Sequence, residues 1–194
     1  MLIGLCGGIG SGKSMVSRIL RLKGFRVFDC DYEARLLMEE DARIKIQIRD
    51  NISAEATDGV SPPDRKLLAD IIFNDEEARL KLNRIVHEAV FRKVIIEAHR
   101  QSIMWVEAAI LSESGLAGIC DRIWKIESPL ALRIQRSCMR DGCSSEEIIK
   151  RISSQNREEE LLKSYQAVTQ VVLNDETHSL MACIDNLLMD IISD

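Results

Sequence analysis

No stretch of the chain approaches the roughly 18 consecutive apolar residues of a membrane span, so none is expected. The N-terminus passes straight into a short apolar segment, without a charged leader or a cleavage site, and no signal peptide is expected. Basic character is missing as well. The net charge of −5 argues against a general nucleic-acid surface, which shows as a basic domain. The six cysteines, Cys6, Cys30, Cys120, Cys138, Cys143 and Cys183, include no C-x-x-C pair, and no histidine stands near enough to complete a zinc pattern. They read as free thiols of a reducing compartment. No internal repeat or low-complexity segment occurs. What remains is 194 residues, 46% hydrophobic and 29% charged, enough for one domain with insertions and a real core. A cytoplasmic enzyme is the natural class.

One stretch organises the rest. Gly7-Gly8-Ile9-Gly10-Ser11-Gly12-Lys13-Ser14 fits G-x-x-x-x-G-K-[ST], a phosphate-binding loop. Leu2–Cys6 before it reads as a buried parallel strand, and Met15–Leu22 after it as a helix with Val16, Ile19, Leu20 and Lys23 or Leu22 on one face. Glycines let the backbone approach an anion, and the helix N-terminus adds its positive end. In such a loop Lys13 meets the β- and γ-phosphates, and the Ser14 hydroxyl is a ligand for Mg²⁺.

Further along, Arg26–Asp29 reads as a second strand, followed by Asp29-Cys30-Asp31 and a helix from Tyr32. A carboxylate at the C-terminal end of a parallel strand lies where α/β proteins bind ligands. Either aspartate can also cap the following helix. Residues 41–61 give no clear pattern, and Gly59–Pro63 is a break. From Asp64 to His99 the spacing is helical: Leu67, Leu68, Ile71 and Ile72 form one stripe, then Leu80, Leu82, Ile85, Val86, Ala89, Val90 and Val94 another, with Asn74 or Asp75 as a cap. Ser102–Val106 is a third strand and Arg122–Ile126 a fourth. Pro129 opens a turn or the first helical position of a basic helix, Ala131–Met139 with Arg133, Arg136 and Arg140 around it. Ser144 to Glu147 is a capping box. Gln170–Leu173 is a fifth strand, and Leu180–Ile192 a closing helix with its stripe at Leu180, Ile184, Leu187, Leu188 and Ile191. Five short strands separated by helices predict an α/β fold around a five-stranded parallel sheet.

These motifs together resemble the dephospho-coenzyme A kinase family over nearly the whole chain. The resemblance rests on Gly4 to Ser14, Asp29-Cys30-Asp31 with Ala34-Arg35, Asp64 to Leu67, Ile72 to Asp75, Ile85-Val86-His87, Glu113-Ser114-Gly115-Leu116, Arg136, Arg140-Asp141-Gly142, Gln155 and Asn174-Asp175. The chain departs from the family's pattern at Met15 (usually Thr), Glu88 and Ala109 (usually Pro), Ser112 (usually Phe), Arg133 (usually Gln) and Glu176 (usually Gly).

The resemblance implies a P-loop kinase core at 1–39, 100–130 and 165–194, a helical acceptor-binding insertion at 40–99 and a lid at 131–164. It implies phosphoryl transfer from ATP, with Mg²⁺, to the ribose 3′-hydroxyl of dephospho-CoA. Gly8, Ile9, Gly10, Ser11, Gly12, Lys13, Ser14 and Met15 would hold the nucleotide, with Arg136 and Arg140 as lid arginines; Lys13 and Arg140 would also serve catalysis. Asp31 would accept the hydroxyl proton, and Arg35, His87 and Glu113 would contact the acceptor. Arg133 reads as a solvated helix residue, Arg35 has Glu39 as an alternative ion-pair partner, and Glu107 reads as a group supporting the metal. A small molecule is the expected partner, with neither nucleic acid nor membrane. A kinase for another small acceptor, such as a nucleoside, is the competing enzyme. A nucleotide-gated switch is the competing binder, although no guanine-recognising N-K-x-D occurs and Val106-Glu107-Ala108 is no motor-type Asp-Glu strand end.

Overall fold

The computed structural model describes residues 1–192. The chain divides into two compact units, Met1–Phe28 with Gln101–Asp194, and Asp29–Arg100. The boundary falls before residue 29, ahead of position 40, so the helix after the second strand goes with the second unit.

The first unit is built on five strands: β1 (Leu2–Cys6), β2 (Arg26–Asp29), β3 (Met104–Glu107), β4 (Arg122–Glu127) and β5 (Thr169–Leu173), in the order β2-β3-β1-β4-β5. The registered pairs are parallel: Gly4 lies beside Val106 on one side and Ile123 on the other, and Trp124 beside Gln170. All five residues of β1 are buried, as a strand covered on both faces requires. The chain leaves β1 toward β2 on one side and later returns to add β4 on the other. The sheet therefore changes direction at the end of β1, where the glycine loop begins.

Helices α1 (Lys13–Leu22), α6 (Leu130–Asp141), α7 (Ser145–Ser153), α8 (Asn156–Leu162) and α9 (Leu180–Ile192) complete this unit. Ile3, Leu5, Val16, Leu20, Trp105, Trp124, Val172, Ile184, Leu188 and Ile191 form one core cluster. The two tryptophan rings meet edge to face at 5.6 Å, a contact worth roughly 0.5–1.5 kcal/mol beyond burial alone. Helix α6 starts at Leu130, with Pro129 one place outside it as the cap. Leu22, at the end of α1, is exposed and off the buried face.

The second unit is helical: α2 (Cys30–Glu40), α3 (Ala42–Asn51), α4 (Arg65–Asn74) and α5 (Glu76–Ala98). The 23-residue α5 packs against each of the other three through Leu82, Val86, Ala89, Val90 and Val94. Leu80 departs from the expected stripe and is exposed. Helix α3 lies where the sequence shows no clear pattern, because only Ile44, Lys45 and Ile48 of its ten residues are buried. Lys45 satisfies its charged end on the Val60 carbonyl.

Candidate active site

The glycine loop joins β1 to α1. Gly10 and Gly12 have φ of +75° and +99°, a region that side-chain-bearing residues rarely enter. A Cβ on Gly10 would also collide with the Arg133 carbonyl, and one on Gly12 with the Asn174 amide. Gly12 is the N-cap of α1, so the free N–H groups at the head of that helix face the space the loop encloses. Lys13 opens the helix, and its Nζ donates to the Gly7 carbonyl at 2.6 Å. Ser14, one residue on, is exposed. The Ser17 hydroxyl, one turn further, donates to Glu107 Oε2 at the end of β3 at 2.6 Å.

The outer side of the loop is held by distant parts of the chain. The Ile9 N–H donates to Gln155 Oε1 at 2.8 Å, and the Ile9 carbonyl accepts from Arg133 Nε at 2.9 Å. Asn174 Nδ2 donates to the Ser11 carbonyl at 2.8 Å. Arg133 is therefore no solvated helix residue; α6 presents it to the loop. Arg133, Arg136 and Arg140 recur at i, i+3 and i+7, the spacing of one helix face, and that was the only sign of it in the sequence.

Arg136 turns toward the loops after β4 and β5. It donates to Ser128 Oγ at 3.1 Å and to the Asn174 carbonyl at 3.2 Å, and pairs with Glu176 at 3.1 Å. Glu176 has φ of +68°, which accounts for a glycine preference at that position. Arg140, at the far end of α6, makes two hydrogen bonds to Asp141, at 2.7 and 3.0 Å. That contact holds the Asp141 carboxyl below the usual carboxylate range. Beside the loop, Lys125 bridges Glu127 at 2.8 Å and Glu159 at 2.5 Å. Burial works against the charged lysine, but its hydrogen bonds to the two carboxylates outweigh that and raise its pKa. Cys6, the last residue of β1, has its thiol pushed up to about 12 by burial, and so stays a neutral packing group.

The Glu113 loop follows β3. Its backbone is pinned by Glu158 of α8, a buried carboxylate that accepts from the N–H of Ser112 at 2.8 and 3.0 Å and of Glu113 at 2.9 Å. The Glu113 side chain itself is exposed. Sequence reasoning missed Glu158, since Glu158-Glu159-Glu160 looks like a solvated acidic run.

In the helical unit, Asp29 ends β2 and its side chain accepts from the Tyr32 N–H at 3.0 Å, so it is the cap of α2. Asp31 lies in the first turn of α2 rather than at the end of the strand. Both Asp31 and Arg35 are exposed. Arg35 does not take Glu39 as its partner: its Nε donates to the Asp31 carbonyl at 3.2 Å, and Glu39 pairs with Arg65 instead. Arg35, Met38, Glu39, Arg65, Leu68 and Ile72 line an apolar cleft of about 250 Å³. His87 is half-buried on α5.

Gly8 to Met15 thus share one loop and one helix start. Arg136 is tied to the strand-end loops and Arg140 to its neighbour Asp141. Asp31 and Arg35 share one face of α2, with His87 on another helix of the same unit.

Comparison with known proteins identifies the family. A sequence profile described as dephospho-CoA kinase matches residues 1–179. A dephospho-CoA kinase from Bacteroides fragilis is 34% identical over 189 residues, covering 96% of this chain and 90% of its own. The crystal structure of a Thermus thermophilus protein superposes with a TM-score of 0.74 at 29% identity, over 100% of this chain and 96% of that one. A dephospho-CoA kinase from Campylobacter jejuni gives a TM-score of 0.67 at 24% identity, over 98% and 96%, which supports the fold. On the profile match and the Bacteroides relative, the chain belongs to the dephospho-CoA kinase family.

Proposed function

We propose that the protein transfers the γ-phosphoryl group of ATP to the ribose 3′-hydroxyl of dephospho-CoA, giving coenzyme A. The observation that carries this reading is the clamped glycine loop with Lys13 and Ser14 at the head of α1, in a chain of this family.

Phosphoryl transfer asks the protein for positioning and charge neutralisation rather than covalent chemistry. The loop N–H groups and the α1 N-terminus bind the β- and γ-phosphates. Lys13 leaves the Gly7 carbonyl to meet their charge. Asp31 orients the acceptor hydroxyl and takes its proton. Arg140 and Arg136, from the segment 131–164 acting as a lid, cover the transferred group; their planar donor forks suit spread phosphate charge. Arg35, His87 and Glu113 contact the acceptor, with 40–99 as the acceptor-binding segment.

The donor set fits Mg²⁺. An exposed hydroxyl, Ser14, stands in the first turn of α1, a carboxylate held by Ser17 ends β3, and among the described residues no three His, Cys, Asp or Glu gather into a metal cage. An ion held mainly by nucleotide phosphates and water needs no more than that. Ser14 would be its protein ligand and Glu107 a support, and the ion would neutralise developing phosphate charge. The free thiols, six of them, fit a cytoplasmic setting.

The test is ATP consumption with and without dephospho-CoA, with coenzyme A identified by mass. Strong acceptor-dependent turnover is expected. Turnover that ignores dephospho-CoA, or that prefers a nucleoside, overturns the reading.

A further inference from the structure

We propose that Arg133 is a positioning residue for the donor loop, acting through the Ile9 carbonyl; the proposal rests on the reading of that loop as the ATP site. Ile9 is held through both of the peptide groups that flank it. Its N–H is fixed by Gln155 at 2.8 Å and its carbonyl by Arg133 at 2.9 Å. Both partners come from the segment after β4, 146 and 124 residues away in sequence. A residue whose two flanking peptide groups are both engaged from outside cannot change its φ and ψ freely. The next residue, Gly10, has a positive φ, and the turn there is closed by the Ser11 N–H donating to the Gly8 carbonyl at 3.1 Å. Glycine brings freedom as well as access, so a loop this rich in it needs an external brace to stay in one shape.

Two further observations point the same way. The Arg133 guanidinium packs so closely on Gly8 that a Cβ there would collide with it, and the Arg133 carbonyl stands where a Cβ on Gly10 would go. One residue thus shapes the loop by side chain and backbone together. The positive charge is also offset locally. Arg133 lines a small polar cleft with Lys125, Glu127 and Glu159, two cations and two carboxylates. A balanced set adds little net field at the phosphates, so the contribution is the hydrogen bond and the fit, not the charge.

The experiment compares Arg133→Met, which keeps length but removes the donor, with Arg133→Gln, which keeps a neutral donor. ATP affinity is read directly with a fluorescent ATP analogue, apart from turnover, and KM and kcat are measured for both substrates. Arg133→Met should weaken ATP binding by about tenfold, the scale of one charge-assisted hydrogen bond lost. Its kcat at saturating ATP and its KM for the acceptor should stay near normal. Arg133→Gln should recover most of the affinity. Unchanged binding in Arg133→Met overturns the proposal. So does equal weakening in both variants, which would make the charge the agent, or a loss confined to kcat. Because nucleotide binding is read without the acceptor, failure of the dephospho-CoA assignment would show separately, as normal ATP binding without acceptor turnover.

Discussion

The two units are held in shape in opposite ways. In the helical unit the starts of α2, α3, α4 and α5 are each capped by an aspartate immediately before the helix: Asp29, Asp41, Asp64 and Asp75 accept from N–H groups two or three residues on. Every such bond closes within one turn. The glycine loop of the sheet unit is fixed by Gln155, Arg133 and Asn174, each more than 120 residues away in sequence. Local caps set helices one at a time, whereas a loop braced from afar takes its shape only once the sheet and the later helices are complete. The shape of the glycine loop therefore depends on the tertiary structure of its unit, and helix formation in the other unit depends on short sequence.

The contrast can be broken at several points. The largest effect belongs to Lys13→Ala, which should remove most phosphoryl transfer while circular dichroism and melting stay near normal; near-normal turnover at saturating ATP would show that the loop is not the donor site. Next comes the pair on either side of Cys30. Asp31→Asn should lose about 10²–10⁴-fold in kcat, the usual contribution of a general base, with ATP binding intact. Asp29→Asn should keep activity within a few-fold, since Asn caps a helix nearly as well as Asp. If Asp29→Asn proves the crippled variant, the two roles are exchanged.

A third variant tests long-range bracing through stability. Glu158→Gln sets an amide donor against the Ser112 and Glu113 N–H groups, and chemical denaturation should show a loss of about 1–3 kcal/mol, the cost of a buried polar mismatch. No measurable loss would mean that the Glu113 loop holds its shape by itself. The smallest effect on stability belongs to Arg140→Ala, a contact within one helix end, which should weaken phosphoryl transfer yet change stability by no more than about 0.5 kcal/mol. Its signature is a titration. Arg140 holds the Asp141 pKa low, so the native state binds that proton less readily than the unfolded chain. The resulting stability is present above the ordinary carboxylate pKa and is lost as pH falls through the lowered native value. In Arg140→Ala the Asp141 resonance should titrate at higher pH by carbon-13 NMR; an unmoved midpoint would remove Arg140 as the cause.

Legibility followed the same division. The glycine loop, the capping box at Ser144 and Glu147 and the α9 stripe are encoded within a few residues, and the structure places each where the spacing predicts; of the two caps the sequence allows for α5, Asn74 or Asp75, the structure uses Asp75. The five parallel strands were legible too, because each is a short apolar run between breaks. Helix α3 was not, since most of its residues are solvated. Nor were Arg133 and Glu158: what distinguishes each from a surface charge is a backbone group brought to it by the fold. Leu80 erred the other way, an apolar residue at helix spacing that the fold leaves outside.

The strand order carries a consequence for how the chain is made. β1 is synthesised before either of its neighbours: β3 and β4 both lie beyond residue 103, and β4 ends at Glu127. At about 5–20 residues per second, Leu2–Cys6 waits on the order of 6–24 s for its second partner. During that wait α2 to α5 are already out, each with its own cap. Synthesis thus delivers the self-sufficient helices early and leaves the strand beneath the glycine loop unpaired until late, so a nascent chain stalled before residue 127 would expose the central strand of the sheet to chaperones.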